Sequence, residues 1–288
     1  MIKQASEQRR VQVLLWWVIG LEESGFGTAD PNRVPMLGRV ASTSPFSHID
    51  RAWLERKLQE VRPSYPRVRL AIAGKLVPPH EYSAVRGPLF PNDPLSLEVA
   101  LDEARLWQKV STEGVSLVWD RLEEIDSDIE RHTRDLAVAT GCQINSSIYY
   151  VGAGEVPGFN RHGDWMDVIA QQLVGKKRWQ VFRPGDSTPY VDTILSAGEA
   201  IYVPKGWLHE VTPVGVESLH VTTSAIAPTV YDLMRFLIAK QSRSALTGPW
   251  AVDVRDVEAL REALRTIIDS IHDGAFAEQF PTSTPVFY

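Results

Sequence analysis

The sequence predicts a mainly β domain with helices, whose core is a β-sandwich or barrel. The main observation is a series of six short runs of strand-forming residues between Ile144 and Ala225, separated by Gly, Pro and Asp. These runs are SSIYYV, DVIAQQLVG, RWQVF, EAIYVP, LHEVTP and ESLHVTTSAI. Strands at near-regular spacing with turn residues between them are typical of sandwiches and barrels. The second observation is that apolar residues on either side of this region recur at three- and four-residue spacing, which predicts flanking helices.

The elements before the core are predicted from local signals. Proline punctuates residues 1–94, which predicts an irregular N-terminal region with short elements. A helix is predicted from Asp93-Pro94 onward, because an Asp/Pro start precedes apolar residues at helical spacing. These apolar residues are Leu95, Leu97, Ala100, Leu101 and Ala104. Val115–Trp119 is predicted to be a strand, and Asp126–Thr140 a helix that Gly141 ends.

Composition excludes some classes of function. The formal net charge of the 288 residues is -6, so the chain lacks the basic surface that nucleic acid binding requires, and we expect no nucleic acid partner. One cysteine, Cys142, cannot form an intrachain disulfide, which favours a reducing, cytoplasmic location. The apolar run Val11–Leu21 is too short to span a bilayer and predicts a buried helix or strand, so we expect no membrane partner.

Three residues are candidates for a metal site. His162 and Asp164 stand two positions apart, and on a strand this spacing places both side chains on one face. A third ligand is available in His209, which follows a Pro-x-Gly turn at the start of a predicted strand. Two imidazoles and one carboxylate leave coordination positions open, as in non-haem Fe(II) oxygenases. Zinc accepts similar ligands without the oxygen chemistry.

Four sequence blocks extend this motif. They are Gly158–Asp164 (GFNRHGD), Gln172–Trp179 (QLVGKKRW), Gly198–His209 (GEAIYVPKGWLH) and His220–Ser224 (HVTTS). In order and spacing they resemble the JmjC and cupin-like oxygenases, in particular the ribosomal-oxygenase branch. The resemblance is clear over Leu95–Ala227. It implies a double-stranded β-helix core, with residues 1–94 as an N-terminal elaboration, 95–227 as the catalytic core and 228–288 as a C-terminal helical region.

The resemblance also implies a ligand set. His162, Asp164 and His209 match the family's iron ligands, which are its catalytic centre, and the cofactors implied are Fe(II), 2-oxoglutarate and O₂. Lys177 matches the basic residue that pairs with the distal carboxylate of 2-oxoglutarate. An ammonium on a strand beside the metal is a suitable partner for a carboxylate, whereas alternation places Lys176 and Arg178 on the other face. The alternative for Lys177 is an exposed hairpin lysine.

Further residues are expected near the pocket. Ser147 and Tyr149 share one face of a predicted strand, and Tyr149 matches a tyrosine that the family turns into the pocket. His220 and Thr222 share a face of the last strand and are within reach of 2-oxoglutarate or substrate, with a hydrogen-bonded core histidine as the alternative for His220. Two residues that flank the metal motif are candidates for substrate binding or for covering the barrel rim; they are Arg161 and Trp165.

The function implied is an Fe(II)- and 2-oxoglutarate-dependent hydroxylation of an amino-acid side chain in a protein or peptide, with succinate and CO₂ as products. Residues 228–288 are too few for the family's dimerisation region and winged helix together, which favours a substrate other than the ribosome. They still carry an apolar stripe, Leu260, Leu264 and Ile267, that predicts a homodimer. The alternatives are a hydroxylase of a free amino acid or small metabolite, a non-catalytic cupin-like module, and a zinc or manganese cupin isomerase or hydrolase.

Overall fold

A computed structural model describes residues 18–19, 33–40, 44–88, 97–152, 154–229, 256–259, 261–262 and 265. The chain divides into two compact units, Met1–Ile226 and Ala227–Tyr288. In the second unit the described residues include helical positions at 257–259, 261–262 and 265. The Leu260, Leu264 and Ile267 stripe lies outside the described residues, so the predicted dimer contact stays a prediction, as do the three domain boundaries. Most of the apolar run Val11–Leu21 also lies outside them.

The described part of the first unit is built mainly from antiparallel strands. They are β1 Val18–Ile19, β2 Met36–Val40, β3 Val68–Ile72, β4 Lys75–Leu76, β5 Ser83–Pro88, β6 Leu97–Leu101, β7 Ser116–Asp120, β8 Gln143–Val151, β9 His162–Gly163, β10 Asp167–Phe182, β11 Val191–Ser196, β12 Glu199–Val203 and β13 Leu208–Ile226. The helices are α1 Arg51–Val61, α2 Glu103–Thr112 and α3 Ser127–Thr140, with short 3₁₀ turns at Pro79–Glu81 and Leu122–Glu124. The mainly β core predicted from the sequence is therefore confirmed.

Eleven of these strands form one sheet. Its order is β1-β2-β12-β10-β13-β8-β7-β3-β4, with β11 added to β10 and β9 added to β13, while β5 and β6 form a separate hairpin. The central strands are β10 and β13, which pair over most of their length. The first half of β10 also pairs with β12 and its second half with β11, so this long strand has a different second neighbour in each half.

Two long strands replace four of the predicted short ones. The runs DVIAQQLVG and RWQVF both lie in β10, and LHEVTP and ESLHVTTSAI both lie in β13. The register shifts at Gln172/Val174 and at Gly175/Lys176, and such bulges let a strand bend without ending. Gly175 has a φ of +66°, and a Cβ there would lie 1.8 Å from the Glu217 carbonyl oxygen. Gly175, which the sequence suggests is a turn residue, therefore lies at a bulge within a continuous strand.

The helix predicted from Asp93-Pro94 onward is wrong in its first part. Residues Leu97–Leu101 form β6, which pairs with β5, and the helix α2 begins only at Glu103, after its N-cap Asp102. The apolar residues of this segment fit an alternating pattern as well as a helical one. Pairing with β5 supplies the backbone hydrogen bonds that select the strand.

Local signals predicted the neighbouring elements well. The strand β7 agrees with the predicted Val115–Trp119 within one residue at each end, and α3 matches the predicted helix. The Asp126 side chain accepts hydrogen bonds from the backbone N–H groups of Asp128 and Ile129, which satisfies two free donors of the first turn. Gly141 ends the helix with a φ of +68°.

The sheet has one face in the hydrophobic core and one face toward a cavity. Leu70, Leu117, Tyr150 and Leu219 are paired across β3, β7, β8 and β13, and all four are fully buried in the main core cluster. Side chains one position along each strand point to the opposite face. The row on that face consists of Arg69, Val118, Tyr149 and His220. The strands β3 and β7 therefore extend the sheet face that is turned toward the cavity.

Candidate active site

Two histidines meet across a pair of strands. His162 on β9 lies directly opposite His209 on β13, and their ring centroids are 4.4 Å apart. The close approach is possible at Gly163, where a Cβ would lie 3.2 Å from Leu208 Cδ2 and 3.4 Å from the Gly206 carbonyl oxygen. The short strand β9 thus places His162 beside His209, the histidine that follows the Pro-x-Gly turn.

Asp164 completes the cluster. Its carboxylate oxygens lie 3.9 Å from His162 Nε2 and 3.7 Å from His209 Nε2. The backbone N–H of Gly206 donates to the Asp164 carbonyl oxygen over 2.8 Å, which ties the two ligand segments together. One potential ligand atom from each residue lies within 4.8 Å of the others. The structure therefore brings together the three residues that the sequence singled out, His162, Asp164 and His209.

The hydrogen bonding of His162 and the burial of His209 fit a metal ion in the cluster. His162 Nδ1 lies 2.8 Å from the Asn160 carbonyl oxygen, to which only an N–H can donate, so the lone pair is on Nε2. Burial lowers the pKa of His209 to about 4, with the His162 charge acting in the same direction and Asp164 opposing it. Two imidazoles and one carboxylate are the donor set of an Fe(II) site with open positions.

Lys177 is buried rather than exposed on a hairpin. Only 3% of it is accessible, and its Nζ lies 3.1 Å from the Tyr149 carbonyl oxygen and 2.7 Å from His220 Nδ1. No carboxylate pairs with this ammonium among the described residues, and burial lowers its pKa to about 7. Its neighbours Lys176 and Arg178 are exposed, as alternation predicts. A buried cation without an anion is costly unless a ligand supplies one.

Aromatic rings pack against one another around Lys177. The His220 ring stacks on the Tyr149 ring, with centroids 4.8 Å apart and an interplanar angle of 9°. Trp179 meets His220 edge to face at 5.6 Å and stacks against His209 at 5.9 Å. This wall therefore links the Lys177 end of the site to the histidine cluster.

The cluster and the lysine open into one cavity of about 170 Å³. Its lining residues are Arg69, Ser116, Tyr149, Val151, Gly158, Phe159, His162, Asp164, Val168, Lys177, Trp179, His209, Val211, Pro213, His220 and Thr222. Seven residues of the predicted site are therefore brought together here: the three cluster residues, Lys177, Tyr149, His220 and Thr222. The cavity has a buried polar end at Lys177 and a more open end at the cluster, where His162 is 44% exposed.

The structure adds a cationic residue that sequence reasoning missed. Arg69 on β3 lines the cavity, and its guanidinium lies 2.5 Å from an Asp120 carboxylate oxygen. The other Asp120 oxygen accepts a hydrogen bond from the Ser147 hydroxyl at 2.9 Å. Ser147 therefore reaches the site through Asp120 and does not itself line the cavity. Alternation along Val68–Ile72 predicts which side chains share a face of β3, but no local signal shows that β3 joins the sheet that lines the cavity.

Arg161 and Trp165 lie outside the cavity lining. The Arg161 guanidinium stacks 3.5 Å from the centroid of Phe182 and lies 4.0 Å from Glu210, with 39% of its side chain exposed. Trp165 is 46% exposed. Both positions flank the metal motif, so their role in substrate binding stays a prediction.

No helix in the described ranges of the chain has the length and apolar character needed to cross a membrane.

Comparison with known proteins gives consistent matches. Residues 122–233 match the family model of the JmjC domain. A bifunctional lysine-specific demethylase and histidyl-hydroxylase NO66 of Dictyostelium discoideum is 31% identical over 139 residues, which cover 38% of this chain and 27% of that protein. Ribosomal oxygenase 1 of Rattus norvegicus is 30% identical over 103 residues, which cover 29% of this chain and 17% of that protein. The matched part is thus a minor share of each relative.

Solved structures show the same fold. The structure of YcfD, a ribosomal oxygenase from Escherichia coli, in complex with cobalt and 2-oxoglutarate, superposes with a TM-score of 0.56 at 17% identity. The superposition covers 90% of this chain and 68% of the other. The cupin and JmjC fold class predicted from the sequence is therefore confirmed. The chain thus has the double-stranded β-helix fold, and its residues 122–233 resemble the JmjC domain of the ribosomal-oxygenase relatives.

Proposed function

We propose that this protein is an Fe(II)- and 2-oxoglutarate-dependent oxygenase that hydroxylates an amino-acid side chain of a protein or peptide, with succinate and CO₂ as the other products. The observation that carries the proposal is that one cavity holds both the His162, Asp164 and His209 cluster and the buried Lys177, which has no carboxylate partner among the described residues. A plain metal-binding module has no use for the second feature.

The cluster residues would hold the iron. When bound, Fe(II) supplies the redox chemistry by which O₂ is used, and the protein supplies position and a dry environment. His162 keeps its Nε2 lone pair toward the cluster through the Asn160 carbonyl. Trp179, stacked on His209, excludes water from one side of that ring.

Lys177 would bind the distal carboxylate of 2-oxoglutarate. The free energy lost in burying its ammonium is regained when a carboxylate is bound beside it, because charge-assisted hydrogen bonds are strong in a water-poor cavity. Thr222 and Tyr149 line the same cavity and can contact the co-substrate. Ser147 would act through Asp120, whose carboxylate it orients.

The acceptor is proposed to be a protein or peptide. The cluster end of the cavity is open, with 44% of His162 and 31% of Asp164 exposed, so a side chain presented by a large molecule can reach it. The names of the relatives, histidyl-hydroxylase and ribosomal oxygenase, support the same class. Arg161 and Trp165 are sequence neighbours of His162 and Asp164, the exposed residues at this opening. They are therefore candidates for contact with the acceptor.

The function is tested with the purified chain. Anaerobic Fe(II) with 2-oxoglutarate should give a weak visible charge-transfer band, and air should then give succinate. A zinc or manganese isomerase, a hydrolase or a non-catalytic cupin would give neither. A +16 Da product found only among free metabolites, and not in lysate peptides, would favour the small-molecule hydroxylase instead. We further propose a cytoplasmic homodimer paired through residues 228–288, which sedimentation can measure.

A further inference from the structure

We propose that His220 is a positioning residue for the co-substrate: it holds the Lys177 ammonium through its Nδ1 atom, so that one N–H remains directed to a carboxylate in the cavity. This inference rests on the proposed function, since it assigns the carboxylate to 2-oxoglutarate. It gives His220 a role through Lys177 rather than a direct contact with the co-substrate.

The argument starts from the number of donors on Lys177. An ammonium has three N–H groups and no acceptor. Two of them are engaged, by the Tyr149 carbonyl oxygen at 3.1 Å and by His220 Nδ1 at 2.7 Å. Lys177 lines the cavity and is 3% exposed, and no third partner of its Nζ is found among the described residues. An anionic oxygen in the cavity is the partner that this donor lacks.

The second step is the protonation state of His220. To accept from an ammonium, Nδ1 must carry a lone pair, so the ring proton is on Nε2. Burial lowers the pKa of His220 well below its usual value, and the charge of Lys177 acts in the same direction. His220 therefore stays neutral beside the cation and stabilises the charged form of the lysine against its desolvation.

The third step is rigidity. The His220 ring is stacked on Tyr149 and meets the edge of Trp179, and its backbone pairs with Tyr149 on β8 and Gln172 on β10. The Tyr149 residue thus contributes both a stacking ring and the carbonyl that binds Lys177. A lysine has a long flexible side chain, so fixing its head group in advance reduces the entropy lost when the carboxylate binds.

Two variants separate this role from a merely structural one. In His220→Asn the amide oxygen occupies the place of Nδ1, because both atoms are bonded to Cγ, but the stacking ring is lost. In His220→Phe the ring is kept against Tyr149, but the acceptor is lost. A positioning role predicts that the Asn variant binds 2-oxoglutarate better than the Phe variant. A packing role predicts the opposite order.

The measurement is the dissociation constant of 2-oxoglutarate from the anaerobic Fe(II) form of the full chain, followed by the visible band between pH 6.5 and 8.5. We expect the Phe variant to bind about tenfold or more weakly than wild type, since a hydrogen bond to a charged group is lost. Its affinity should also begin to fall at a lower pH, because the ammonium has lost an acceptor. The Asn variant should stay within a few-fold of wild type with the wild-type pH profile.

Controls make the outcomes distinct. Co(II) affinity without 2-oxoglutarate should be unchanged in both variants, which excludes damage to the metal site. A wild-type protein that binds no 2-oxoglutarate contradicts the proposed function. A wild-type protein that binds it, with a Phe variant of equal affinity and equal pH profile, contradicts the role of His220 alone. If the Phe variant does not fold, the Asn variant is compared with His220→Gln. The amide oxygen of Gln lies one bond further from the backbone than Nδ1 of His220. Equal 2-oxoglutarate affinity of the Asn and Gln variants would overturn the inference.

Discussion

His162 and His209 lie directly opposite each other on β9 and β13, and their ring centroids are 4.4 Å apart. The pairing brings together two residues that are far apart in the sequence and leaves both Nε2 atoms near the Asp164 carboxylate. The strand β9 has only two residues, and both pair with β13. The chemistry of the site therefore depends on this short pairing.

The first prediction concerns His162. The change His162→Ala should abolish succinate formation and weaken Co(II) binding at least tenfold, because one of three ligands is lost. Its free energy of unfolding should change by less than about 1 kcal/mol, since the side chain is 44% exposed. Activity assays, calorimetric metal titration and urea denaturation measure these quantities. Unchanged turnover in this variant would contradict the assignment of the metal site.

The second prediction compares two adjacent lysines. Lys177→Met removes the buried ammonium at similar volume and should raise the KM for 2-oxoglutarate at least tenfold. Lys176→Met is the matched control, because Lys176 is exposed on the other face of β10 and should leave the KM unchanged. Steady-state succinate formation at varied 2-oxoglutarate gives both values. An equal effect of the two changes would argue against a specific role for Lys177.

The third prediction is a pH dependence. Burial lowers the pKa of Lys177 to about 7 from an ordinary value of 10.5. The groups facing it are His220, which stays neutral, and the Tyr149 carbonyl. Above about pH 7 the free protein increasingly holds a neutral amine, so its affinity for 2-oxoglutarate should fall, by at most tenfold per pH unit. The Lys177→Met variant should show no such decline when measured by the same visible band.

The same pKa predicts a slope in stability. Between about pH 7 and 10.5 the unfolded chain binds a proton at this lysine that the folded chain does not, so the free energy of unfolding should rise with pH across that window. Below pH 7 both states are protonated and the contribution is constant. Urea denaturation of the metal-free protein from pH 6.5 to 9 measures the slope relative to Lys177→Met. A wild-type slope no steeper than that of the variant would contradict the lowered pKa.

The fourth prediction concerns the bulge in β10. Gly175→Ala should destabilise the protein by about 2 kcal/mol or more, because the new Cβ would overlap the Glu217 carbonyl oxygen. It should also raise the KM for 2-oxoglutarate, since the bulge sets the register of Lys177. Gly185→Ala is the control, with a positive φ of +91° but no atom within 4 Å. Equal destabilisation of the two would show that backbone strain alone is responsible.

The fifth prediction concerns the ion pair between Arg69 and Asp120. The two side chains are 32% and 28% exposed, so a double-mutant cycle with Arg69→Met and Asp120→Asn should give a coupling of about 1–2 kcal/mol. The cycle for Arg178 and Asp192, which are 49% and 36% exposed, should give about 0.5 kcal/mol or less. Urea denaturation measures both. A coupling near zero for the first pair would mean that solvent screens it.

Much of the site was predictable because its signals are local. Strand alternation predicted that Lys177 points inward while its neighbours point outward, and the two-residue spacing predicted that His162 and Asp164 act together. Other predictions lacked such a signal. The segment 97–101 fits two periodicities, and the choice between helix and strand depended on its partner β5.

The sequence by itself determined which residue types face one side of each element, because side-chain direction follows the backbone period. It therefore predicted the β core and the inward side of Lys177, and it singled out His162, Asp164 and His209 as candidate metal ligands. Only the tertiary structure decided which faces meet. Arg69 lines the cavity because β3 pairs with β7, and Lys177 on β10 meets His220 on β13 although His220 is in register with Gln172. These contacts depend on pairings between distant segments, whose free energy no local stretch of sequence contains.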